Sequence, residues 1–114
     1  MGDGSLDLFK GTLDVLILRT VSGGRLHGYA ISKAILEKSG EVFDVEEGAL
    51  YPALRRLEQK GLLVGAWGRT ESGREARFYT LTAAGRERLS VEVEKWERYV
   101  EAMGRVLGTA PRRR

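Results

Sequence analysis

A tyrosine, a proline and two arginines stand together in EGALYPALRRLEQKGLL, the stretch from Glu47 to Leu63. On a helix, Tyr51 and Arg55 lie one turn apart and share a face. A phenol and a guanidinium so placed suit nucleic-acid chemistry. Either can bond a phosphate oxygen, and an arginine can grip the O6 and N7 edge of guanine. Between Arg55 and Arg77 stand six basic residues, Arg55, Arg56, Lys60, Arg69, Arg74 and Arg77, against Glu58, Glu71 and Glu75. Other chemistries lack their parts. There is no cysteine and His27 is the single histidine, which makes neither a zinc site nor a catalytic triad. No metal, cofactor or enzyme activity is expected. Gly23-Gly24 reads as a turn, because no lysine-serine or lysine-threonine pair follows it to make a phosphate loop.

Each candidate has a plainer reading beside it. The Tyr51 ring could pack against a neighbouring hairpin, and Pro52 reads as a backbone device. Arg55 and Arg56 could lie on a solvated helix face, with Arg56 or Glu58 in salt bridges. Lys60 is a phosphate neighbour or simply exposed. Arg74 and Arg77 flank a hairpin tip that suits a minor groove or its phosphates, although Glu71 and Glu75 dilute the charge. Tyr29 and Ser32 could bond phosphate at a helix N-terminus, or serve local packing and solvent.

The elements that would hold these residues can be read from periodicity. Leu6 to Val21 is apolar on most faces and predicts a deeply buried helix ended by Ser22-Gly23-Gly24. A second helix is expected from His27-Gly28 to about Ser39, with Ile31 and Ile35 inward, Gly40 after it, and His27 in a structural role at its start. The third runs from Glu46 or Glu47 to Lys60, with Leu50, Leu54 and Leu57 as its buried stripe. Pro52 belongs near a first turn, so this helix either begins later than the pattern or bends there. Leu62 to Gly68 and Glu75 to Leu81 predict two strands joined by the polar tip Arg69 to Arg74. Two strands alone are marginal and must lean on the helices. Thr82 is the expected N-cap of a last helix reaching about Leu107. Along it Leu89, Val93, Trp96, Val100, Met103 and Leu107 recur at 4, 3, 4, 3, 4, an a/d seam that predicts a homodimer.

Helix, helix, helix, strand, strand, helix is the order of a winged helix-turn-helix. The predicted fold class is mainly α with a small β-hairpin, a winged helix-turn-helix plus a long C-terminal dimerisation helix. Residues 1–5 read as a flexible leader, 6–81 as the DNA-binding domain, 82–107 as the dimerisation helix and 108–114 as a basic tail. The 114 residues carry a net charge of +3, with 42% hydrophobic and 31% charged side chains. No apolar run approaches the roughly 18 residues of a membrane span, and no secretory signal is apparent, so a cytoplasmic protein is expected. The charge is unevenly placed. Residues 1–81 hold 11 basic and 11 acidic side chains, while residues 82–114 hold 8 and 5. The surplus equals Arg112, Arg113 and Arg114, so nucleic-acid binding must rest on local clustering.

Three blocks make the assignment narrower: LHGYAI (Leu26 to Ile31), EGALYPALRRLEQKGLL, and ARFYTLTAAG (Ala76 to Gly85). In order and spacing the chain resembles the PadR family of bacterial and archaeal transcriptional regulators, over about Leu8 to Leu107. Ala49 stands where that family often has threonine, and Phe78 where it often has a second tyrosine. The single C-terminal helix resembles the family's shorter branch. The resemblance implies a homodimeric repressor on an inverted-repeat operator in double-stranded DNA, with Ala49 on the reading helix and Lys10 near the backbone. It also implies a small aromatic or apolar effector, for which Val93, Trp96, Val100 and Met103 are candidate lining. The same residues would serve a dry dimer seam equally well. A rival reading is a winged-helix dimerisation and protein-interaction module without DNA binding.

Overall fold

The computed structural model describes residues 11–109. Lys10, the leader and the C-terminal arginines lie outside them. Helix α1 spans Thr12–Val21, α2 Gly28–Lys38, α3 Glu47–Gln59 and α4 Ala83–Leu107; strand β1 is Leu26–His27, β2 Leu63–Arg69 and β3 Glu75–Leu81. This is the predicted order with one addition, β1. It pairs antiparallel with β3, Leu26 opposite Tyr79 and His27 opposite Phe78, giving a three-stranded sheet ordered β1-β3-β2. Two residues are too few for alternation to betray a strand. Strand β1 supplies the third strand that the hairpin needs.

Two helix starts carry local detail that periodicity leaves open. Gly11 caps α1 with φ 88°, in the left-handed region, and the helix begins at Thr12; the stretch expected before it, from Leu6, lies outside the described residues. Helix α3 begins at Glu47, as its periodicity says, and Pro52 falls in its second turn. The carbonyl of Gly48 therefore lacks its i+4 donor. Gly48 and Pro52 are both exposed, so water can serve that carbonyl.

The core lies where α1, α2 and α3 meet over the sheet. Ile17, Ile31, Leu50, Leu54, Leu57 and Leu63 are exposed by 1% or less. The stripe on α3 is the predicted one, widened by Ala53. Helix α4 is fastened at its first turn. Thr82 accepts from the Gly85 amide at 2.9 Å, as an N-cap should, and its hydroxyl donates to the Gly61 carbonyl at 2.7 Å. Gly85 packs so closely there that a Cβ would collide with the Leu62 carbonyl oxygen. Backbone cannot yield as a side-chain tip can. Gly85→Ala is therefore expected to destabilise the fold by about 1–3 kcal/mol, the usual cost of overpacking. Urea denaturation reads this as a lower midpoint; an unchanged midpoint would contradict the close packing.

Candidate nucleic-acid interface

Once Leu50, Ala53, Leu54 and Leu57 face the core, a helix of 3.6 residues per turn must turn Gly48, Pro52, Arg55 and Gln59 outward. All four are exposed. The flanks of α3 are tied sideways. Arg56 Nη2 meets Asp14 Oδ1 of α1 at 2.7 Å. Glu58 Oε2 accepts from Arg77 Nη2 of β3 at 2.6 Å. Arg55, Lys60 and Arg74 are exposed and make no ion pair among the described residues. The two arginines of the RR pair thus differ: Arg55 is available to a ligand, while Arg56 is engaged with Asp14.

Arg77 is engaged within the fold. It lies across Gly65, where an added Cβ would come within 2.6 Å of its Nε. Its guanidinium carbon is 5.8 Å from the Trp67 ring centroid. The hydrogen bond to Glu58 raises the Arg77 pKa further above the ordinary arginine value. Next along β3, Tyr79 is buried. Burial, followed by the nearby Glu58 charge, pushes its phenol pKa up. Sequence periodicity places Arg77 on the wing but cannot show that its charge is spent on α3.

Tyr51 keeps 42% of its surface exposed. The edge of its ring rests on Gly28, where an added Cβ would meet the ring and its hydroxyl at 2.8 Å. The ring thus packs on the start of α2. That start is capped by His27, whose Nδ1 accepts from the Ala30 amide at 3.3 Å while its ring meets Phe78 edge-on. Tyr29 is 66% exposed. The Ser32 hydroxyl donates to the Tyr29 carbonyl at 3.0 Å. Ala49 is exposed on the α1 side of α3. Arg25, which the sequence does not single out, stacks 3.9 Å over Phe78.

These pieces enclose an open concavity of about 1090 Å³ between the start of α2, the start of α3 and the wing. Its lining includes Arg25, Tyr29, Tyr51, Trp67, Arg74 and Arg77, with Glu47, Glu71 and Glu75. Arg55, Arg56, Lys60, Ser32 and Ala49 lie outside that lining. At the wing tip, Arg69 donates to the Gly73 carbonyl at 2.9 Å. Among the described residues no group of acidic, histidine or cysteine side chains is arranged to hold a metal, and no helix is long and apolar enough to cross a membrane.

The seam residues of α4 divide into two groups. Leu89 is buried and Val93 packs partly against the same core, so the first turns of the seam serve this chain itself. Trp96, Val100, Met103 and Leu107 are exposed, as are Tyr99 and Val106. Trp96 stacks on Tyr99 with centroids 5.7 Å apart. The two line a cleft of about 390 Å³ with Gly11, Thr12, Val15, Glu92 and Lys95. Val93, Val100 and Met103 do not line it.

Known proteins share this arrangement. The model of the transcriptional regulator PadR-like family matches residues 17–91. A transcriptional regulator from Mycobacterium tuberculosis is 39% identical over 65% of this chain and 65% of its own length. The negative transcriptional regulator PadR of Bacillus subtilis is 29% identical over 68% of this chain and 42% of its own. The chain thus spans less than two thirds of either relative. The structure of a transcriptional regulator from Clostridium thermocellum superposes with a TM-score of 0.76 at 30% identity, covering 84% of this chain and 90% of that one.

The Tyr79 environment has a consequence for stability. Folding favours the neutral phenol, so this contribution is complete below the unfolded tyrosine pKa, about 10, and is lost as pH rises through the higher folded value. Alkaline unfolding should therefore steepen above about pH 10, and Tyr79→Phe should flatten that loss. Stability curves for the two proteins that stay parallel above that pH would contradict the assignment.

Proposed function

This chain belongs to the PadR-like family of transcriptional regulators, and we propose that it acts as a homodimeric repressor on an inverted-repeat operator. Its family is one of regulators, not enzymes. The observation that carries the reading is the orientation of α3. Leucines turn inward, Arg55 turns outward with no ion-pair partner among the described residues, and the neighbours Arg56 and Glu58 are held aside by α1 and the wing. Such a helix can enter a major groove with its outward face free, while the wing follows the adjacent backbone.

Pairing is supported by the apolar face of α4. Trp96, Val100, Met103, Val106 and Leu107 are each exposed by 40% or more, more contiguous apolar surface than a solvated helix should carry. A second copy would cover it and would set the two α3 helices about one DNA turn, ~34 Å, or a multiple of it apart. Repression is supported by the similar protein of Bacillus subtilis, a negative transcriptional regulator. The stacked Trp96 and Tyr99 offer a flat surface for a small aromatic or apolar effector at that seam. Such a compound would release DNA by favouring a dimer geometry in which the helices no longer match the groove spacing, to the extent of its differential affinity for the two geometries. The protein would work in the cytoplasm, beside the DNA.

Gel shifts with the DNA upstream of the chain's own gene test the reading: a salt-sensitive complex is expected. Absence of any complex, with tight capture of a protein partner, would favour a protein-interaction module. Within a complex, Arg55→Ala should weaken binding by about 1–3 kcal/mol, the worth of a base-reading arginine. Arg56→Ala should do less, because its charge is shared with Asp14. Equal losses, or none at position 55, would remove Arg55 from the contacts.

A further inference from the structure

Trp67 is a large side chain that the fold of a single chain hardly uses. It stands on β2 opposite Arg77 and is 69% exposed. Among the described residues its ring meets the Arg77 guanidinium, 5.8 Å from its centroid. Arg77 in turn is held by Glu58 of α3 and lies across Gly65. A line of contacts therefore runs from the reading helix through Glu58 and Arg77 to the indole. It ends in the concavity that Tyr29, Tyr51, Arg69 and Arg74 also line.

We propose that Trp67 is a DNA contact of the wing, packing its ring on a deoxyribose and donating its indole N–H to a backbone phosphate, with Glu58 and Arg77 as the strut that positions it. This rests on the DNA-binding reading above. An indole offers flat apolar faces and one donor but no acceptor. Its natural partner carries apolar ring carbons beside acceptor oxygens, which describes a sugar-phosphate backbone. The charges of the concavity support the same occupant but do not suffice alone. Arg25, Arg69, Arg74 and Arg77 share its lining with Glu47, Glu71 and Glu75, and Arg77 already has Glu58. With so small an excess of positive charge, grip at this site needs an uncharged contact as well.

The test titrates the full chain with duplexes tiling the DNA upstream of its gene, following binding by the anisotropy of a labelled duplex and tryptophan emission with an unlabelled one. Emission should change at saturation in the native protein, and that change should vanish in Trp67→Phe. Trp67→Ala should weaken binding by roughly three- to tenfold, the worth of burying part of an indole, with the salt dependence unaltered because no charge is removed. Glu58→Gln should also weaken binding, and much less so in the Trp67→Ala background, because the strut then has nothing to position. Removing a carboxylate that plays no part in such a strut would instead tighten binding to a polyanion. Tight DNA binding by the native protein with an emission change that persists in Trp67→Phe, or equal affinity for Trp67→Ala, would overturn the contact. Tighter binding by Glu58→Gln would overturn the strut. If Trp67→Ala does not fold, the emission of Trp67→Phe decides. If the native protein binds no duplex even at low salt, the proposal falls with the DNA-binding reading itself.

Discussion

Leu50, Ala53, Leu54 and Leu57 can reach the core only if α3 lies at one rotation about its own axis, and the interface follows from that rotation. With those residues exposed by 1% or less, Arg55 has to face outward, Arg56 must meet α1, and Glu58 must meet the wing. None of these three placements needs its own driving force. The apolar stripe contributes the free energy, about 1.5–3 kcal/mol for each fully buried leucine, and the polar groups take the directions that remain.

The lateral ion pairs add orientation more than stability. Arg56–Asp14 and Arg77–Glu58 are partly exposed, and such pairs contribute about 0–1 kcal/mol. Their effect is geometric: each ties α3 to a neighbouring element and removes one charge from the set that a polyanion would meet. The reading helix thus keeps Arg55 as its outward cation. Farther along the chain the same logic is incomplete. Helix α4 satisfies the core with Leu89 and then continues into solvent with Trp96, Tyr99 and Met103 uncovered, a state that pairing with a second copy would resolve.

Much of this was legible in the sequence because strong periodicities have single solutions. The helix spans, the hairpin, the Thr82 cap and the inward leucines all follow from spacing. What was not legible depends on contacts between distant segments. Two-residue β1 has no period of its own. Pro52 points to a later start or a bend, yet an exposed second turn tolerates it. Spacing leaves Arg77 open between a phosphate and a local partner, because nothing in it says that Gly65 clears a path toward Glu58. Arg25 and Trp67 drew no notice, since a lone arginine beside a turn and a lone tryptophan in a strand are unremarkable until the fold brings both to one concavity. Likewise Leu89 fitted a heptad seam, and only the packing of α4 on the core assigns it to this chain's interior.

In the proposed complex two copies present α3 to one face of the same duplex. Hydroxyl-radical footprinting of the upstream DNA, with the mass of the complex measured on the same sample, tests it most directly. Two chains per duplex are expected, with protected stretches on one face whose centres lie about 34 Å or a multiple of it apart. One chain per duplex with a single protected stretch would contradict it.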